Sequence, residues 1–248
     1  MSNTDTTSSK AMFGSHTDIV AHGWGAVPRS HTKALQQIDK NKHASLDLDS
    51  VNLPDTHVAR KVFEYAKSML PEKTFNHSMR VWYYGNAIVQ THLTHLSPIL
   101  ETYFLTCLLH DIGTTTEHMK GTHLSFEFWG AIKARSFLSE HEVPHDQADA
   151  VCEAIIRHAE LGESGMITSL GLLIQLATVF DNVGANPHLV AAETIEKVVT
   201  KYPRKGWSSC FAACMTEEMD LKPWCHTTAL EGFVDAIVGN KLMEPYDT

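Results

Sequence analysis

The sequence predicts an all-α helical bundle, and three observations carry that prediction. Between about residues 55 and 202, successive segments space their apolar residues three, four and seven apart, as one face of a helix requires. Alternating runs of the strand type are almost absent. Gly, Pro or clustered Asp, Ser and Thr separate the segments where helix stops and caps belong.

The elements follow in order. Residues 1–17, opening MSNTDTTSSK, are polar and short of apolar side chains, and are read as a disordered tail. Residues 18–50 carry scattered apolar positions and are expected to wrap the surface as an extended N-terminal segment. Residues 56–70 (THVARKVFEYAKSML) form the first long helix and end before Pro71. The next, 74–93, aligns His77 with Val81, Tyr84 and Ile88. Segment 98–113 places His110 behind Ile99 and Tyr103, Asp111 behind Leu100 and Phe104, and ends at Gly113. Segment 124–140 sets Glu127 on the face of Ala131, Ala134 and Leu138, and 145–160 sets His158 behind Val151 and Ile155. Segment 169–184 puts Asp181 with Leu170, Ile174 and Ala177, and 188–202 closes the helical core. With no repeat and no internal linker, residues 18–248 are expected to form a single domain.

Composition excludes several classes. The 248 residues are 43% hydrophobic and 20% charged, ordinary for a globular chain and wrong for a fibrous one. Lysine and arginine total 20 against 29 acids, a formal charge of −9, and no basic patch occurs, so nucleic acid is not an expected partner. No apolar run reaches roughly 18 residues and no secretory signal opens the chain, so no membrane is expected either, and the protein is placed in the cytoplasm, with the nucleus open. Five cysteines, an odd number lying mostly in apolar segments, read as reduced core thiols. Apolar helix faces beyond those one core needs predict a homo-oligomer.

Six polar groups on five helices thus face one interior. Taken singly, each has an ordinary explanation: a core histidine bonded to a carbonyl, or Asp181 capping a helix or pairing with Arg80 or Arg157. Taken together, two histidines and two aspartates supply the neutral nitrogens and charged oxygens that bind a divalent first-row metal, whose charge compensates theirs. Adjacent helical residues diverge by about 100°, so His110 and Asp111 converge on one ion only where their helix is ending, as Gly113 indicates.

These residues resemble the signature of the HD-domain metal-dependent hydrolases: His77 in NHSMRV, His110 and Asp111 in LLHDIG, and Asp181 in ATVFDNVG. The runs FNHSMRVWYYG, LTCLLHDIGTT, LSFEFWGAIKA, ADAVCEAIIRHAEL, GLLIQLATVFDNVGAN, YPRKGWSSCFA and KPWCHTT are similar to those of the fungal cyanamide hydratases within that family, over most of residues 55–228. The resemblance implies a single HD domain, one divalent ion, zinc by preference, held by His77, His110, Asp111 and Asp181, and hydration of the neutral molecule cyanamide to urea by a metal-activated water.

In that reaction Asp111 and His158 are the expected proton-handling residues, with His158 also open to metal ligation. Thr114, Thr115 and Asn182 are candidates for binding the substrate amine, or simply for capping helices. Glu127 is expected to orient His110 from behind, and KPWCHTT (222–228) to close the pocket. A second zinc site at Cys210, Cys214, Cys225 and His226 is disfavoured by its loose spacing. The alternative function is an HD-type phosphohydrolase acting on a small nucleotide or phosphate ester, with Arg80 and Arg157 as its cations. Threonines after the His-Asp pair suit a neutral substrate better.

Overall fold

The computed structural model describes residues 20–248, so the expected tail at 1–17 lies outside the described residues. The described residues form eleven helices and one two-stranded sheet. The long helices are α2 (His57–Met69), α3 (Glu72–Thr91), α4 (Leu100–Leu109), α6 (Phe126–Glu140), α7 (His145–Ile156), α8 (Ser169–Val183), α9 (Ala192–Lys201) and α10 (Trp207–Leu221). Shorter ones are α1 (His31–Ala34), α5 (Thr116–Lys120) and α11 (Phe233–Val238). No helix among the described residues is long and apolar enough to cross a membrane.

Two helices form the centre of the bundle. Fourteen of the fifteen residues of α8 are buried, as are fifteen of the twenty in α3. A helix covered on all sides has no solvated face on which to place a charge. Arg80 on α3 and Asp181 on α8 must therefore find partners inside.

The N-terminal segment does wrap these helices. Leu46 N–H donates to Thr194 Oγ1 at 3.0 Å, the Trp24 indole donates to the Asp146 carbonyl at 2.9 Å, and Ser169 N–H donates to the Gly25 carbonyl at 2.7 Å.

Two features depart from the sequence reading. Strand β1 (Ala26–Pro28) pairs antiparallel with β2 (Met166–Thr168), too short to show alternation. Helix formation also continues past 202 into α10 and α11, which build a smaller core from Met119, Phe126, Trp207, Phe211, Met215 and Ile237. The small residues of SSCFAAC blur the helical period there.

Close backbone approach fixes α3 against α4. The Tyr103 hydroxyl donates to the Val81 carbonyl at 2.7 Å, and a Cβ at position 85 would lie 2.0 Å from the Tyr103 hydroxyl oxygen. Gly85→Ala gains about 1 kcal/mol of helix propensity, but forces an overpacked contact costing more than that. Urea denaturation should show a net loss of about 1–3 kcal/mol; a variant of unchanged or higher stability would contradict the contact.

Candidate metal centre

The centre is built from a helix interior and a helix exit. His77 projects from α3. Helix α4 ends at Leu109, and the backbone at Asp111 leaves the helical range (φ −104°, ψ 10°) before a tight turn over Ile112–Thr114. That exit lets neighbouring side chains converge, as the sequence reading required. His110 Nε2 lies 3.2 Å from Asp111 Oδ2 and 3.2 Å from His77 Nε2, and His77 Nε2 is 3.6 Å from Asp111 Oδ2. Gly113 permits the turn, because a Cβ there would sit 2.0 Å from the Phe126 carbonyl oxygen at the start of α6.

Hydrogen bonding sets which ring nitrogens face the centre. Nδ1 of His110 donates to the Cys107 carbonyl at 2.8 Å, and Nδ1 of His158 to the Ile155 carbonyl at 2.7 Å. Nδ1 of His77 donates to Asp181 Oδ2 at 2.6 Å. Each imidazole therefore presents Nε2 as its free nitrogen. Both carboxylate oxygens of Asp111 are buried without a hydrogen-bond partner. Two lone pairs facing one another beside an unpaired buried carboxylate repel unless a cation lies among them. His77, His110 and Asp111 bring their ligand atoms within 4.8 Å of one another. A divalent ion fits this donor set.

The electrostatics agree. Burial pushes His77 down to about 4, against the pull of Asp181. Burial would depress His110 as well, yet Asp111 beside it raises its pKa above 6.5, so the site favours positive charge at that point. Burial would raise Asp111, but His110, with His77 and His158, holds it far below the usual carboxylate range.

Asp181 lies apart from the other three expected ligands. Its carboxylate stands behind His77, outside the group of three. Arg80 grips it through Nε at 3.0 Å and Nη2 at 2.9 Å, and Arg204 Nη1 donates to Oδ1 at 2.7 Å. Burial would neutralise this carboxylate, but the two guanidiniums keep it ionised well below the ordinary range. Trp207 stacks on the His77 ring, the two rings 4.6 Å apart and 14° from parallel.

Glu127 also differs from expectation. Its Oε1 accepts from His226 Nδ1 at 2.5 Å, while His110 takes the Cys107 carbonyl, so Glu127 does not orient His110. Thr114 and Thr115 serve the turn: Thr114 Oγ1 donates to the Asp111 carbonyl at 2.7 Å, and Thr115 Oγ1 accepts from His118 N–H. Asn182 and His158 do line a cavity beside the centre, of about 20 Å³, with Phe126, Thr178, Phe211 and Phe233. His158 Nε2 is 4.0 Å from Asp111 Oδ1. The loop at 222–228 is pinned by Lys222 Nζ to the Leu124 carbonyl and by His226 to Glu127. Cys210 is exposed rather than a core thiol, all five cysteines are free, and the suggested second zinc group does not assemble among the described residues. Arg204 and Trp207 were missed by sequence reasoning, since neither lies on a periodic face of the seven segments.

The HD domain family matches residues 74–183, which include all four signature positions. Two Saccharomyces cerevisiae proteins, cyanamide hydratase DDI2 and cyanamide hydratase DDI3, are each 40% identical to this chain over 210 residues, 84% of this chain and 92% of theirs. The chain belongs to the cyanamide hydratase family. In this cyanamide hydratase family member the phosphate-ester reading loses its cations. Arg80 is committed to Asp181, and Arg157 to Glu153 and Glu160. No lysine or arginine lines the cavity among the described residues.

Two predictions follow from the charges. Arg80→Met leaves Asp181 short of compensation and should cost about 3–5 kcal/mol by denaturant titration; a near-neutral effect would show that Arg80 is dispensable to the core. Protons compete with a metal for His110 Nε2, whose raised pKa brings that competition in above pH 6.5. Metal content after dialysis should therefore fall as the pH is lowered, and Asp111→Asn should hold no stoichiometric metal at any pH.

Proposed function

We propose that this protein hydrates the nitrile of cyanamide to urea, using one zinc ion held by His77, His110 and Asp111. The observation that carries the proposal is a buried, cation-demanding His-His-Asp group in a chain that is 40% identical to two cyanamide hydratases. Two imidazoles and one carboxylate are a donor set that zinc favours, and His77, His110 and Asp111 would hold it. Bound there, zinc would lower the pKa of water from about 15.7 to roughly 7 and so supply a nucleophile at neutral pH.

The chain's own residues supply the rest. His158 has its Nδ1–H committed to a carbonyl, and burial, together with His110, lowers its pKa, so at neutral pH its Nε2 is a free base facing Asp111. We assign His158 the task of taking a proton from water and delivering it to the nitrile nitrogen, with the negative charge of Asp111 favouring the transient imidazolium. Water adds its oxygen to the carbon, both of its protons end on the former nitrile nitrogen, and urea forms with no net proton release. A cavity of about 20 Å³ holds one or two waters, which suits a substrate of a few heavy atoms. The phenyl rings of Phe126, Phe211 and Phe233 give it a largely apolar wall. Asn182 lines this cavity but gives Oδ1 to the Trp207 indole at 2.7 Å, which leaves its amide N–H groups for the substrate.

The test is urea production from cyanamide by the purified protein, with and without a chelator. Chelation and His110→Ala should each abolish it, and zinc should restore the chelated wild type. Phosphate release from a deoxynucleoside monophosphate faster than urea formation would defeat the proposal. His158→Gln should keep its zinc and lose about 10²–10⁴-fold in kcat; loss of zinc instead would make His158 a ligand.

A further inference from the structure

Resting on the reading that His77 carries zinc, we propose that Asp247 is a positioning residue for the metal centre, acting through Arg204, Asp181 and His77. The chain of contacts is continuous. Asp247 Oδ1 accepts from Arg204 Nε at 3.1 Å, and its Oδ2 accepts from Ser208 N–H at 3.1 Å. Arg204 Nη2 donates to Ser208 Oγ at 3.0 Å, and Nη1 donates to Asp181 Oδ1 at 2.7 Å and to the Asp181 carbonyl at 3.1 Å. Asp181 Oδ2 then receives Nδ1–H of His77 at 2.6 Å.

Charge balance gives this chain its direction. Arg80, Arg204, Asp181 and His77 are all fully buried, and two guanidiniums face the single carboxylate of Asp181. That trio carries one uncompensated positive charge in the core, which only a second carboxylate neutralises. Asp247 supplies it from the edge of the protein, its own side chain 15% exposed. Removing its charge leaves Arg204 to draw harder on Asp181 Oδ1. Less negative charge then remains on Oδ2 for the His77 Nδ1–H, and the opposite nitrogen of the ring becomes a poorer donor to zinc. Partners behind a metal-bound histidine tune its basicity in this way, at a cost of about 10–100-fold in metal affinity when lost. With Asp247 altered, Ser208 and Asp181 still hold Arg204, so it transmits the change rather than swinging away.

The experiment measures zinc affinity of the full chain by competition with a chelator, together with the His77 Nδ1 proton resonance in protein labelled with ¹⁵N-histidine. Asp247→Asn removes the charge with little change of shape, and Asp247→Ala removes both charge and contact. Each should weaken zinc binding roughly tenfold and shift the His77 Nδ1 proton, while Asp247→Glu restores both readings. Tyr103→Phe, which loses a buried hydrogen bond away from this chain of contacts, should lower stability without moving either readout. If Asp247→Ala fails to fold, Asp247→Asn decides the matter. Wild-type protein that binds zinc while Asp247→Asn matches it in affinity and resonance overturns this proposal and leaves the zinc reading intact. Wild-type protein that binds no zinc overturns the zinc reading itself.

Discussion

The centre depends on one ionised carboxylate held without water. Asp181 sits on a helix buried on nearly all sides, where an unpaired charge would cost several kcal/mol. Two guanidiniums and an imidazole N–H replace its hydration. In return Asp181 fixes the tautomer and the tilt of His77, so the ring meets His110 and Asp111 through Nε2. The interior is arranged around that exchange: α3 supplies His77 and Arg80 three residues apart on one helix, α8 supplies the carboxylate, and the segment before α10 supplies Arg204.

A division of labour follows between the two aspartates. Asp181 is saturated with donors and has nothing left to offer an ion. Asp111 has no donors at all. Equal burial thus yields opposite chemistry, because a carboxylate surrounded by arginines is already compensated, whereas one left bare among imidazole nitrogens can still accept a cation.

Periodicity made half of this visible in the sequence. Apolar neighbours one turn away committed His77, His110, Asp111, His158, Glu127 and Asp181 to the interior, and each is buried. Gly113 told where α4 had to stop. What a linear pattern cannot give is the partner. Arg204 follows a proline outside any helical frame, and the Glu127–His226 contact joins residues 99 apart. The direction of a side chain is a local property of the helix that carries it, whereas the choice among several inward-facing partners depends on how helices rotate against one another. Asp181 was therefore correctly placed inside, while its neighbours there, His77, Arg80 and Arg204, were beyond what the pattern could name. The three-residue strands escaped notice because a pairing so short is fixed by the surfaces on either side of it rather than by its own residues.

The wrapping segment carries a consequence of another kind. Gly25 and Trp24 fasten to the beginnings of α8 and α7, while Ala44 and Leu46 fasten to the region of α9. A strand of chain tied at both ends like this acts as a girdle. Helix ends ordinarily fray one at a time at little cost, but here the first turns of two helices and the approach to a third are knotted to the same belt. Opening any one of them strains its ties to that belt, which couples these helix ends to one another.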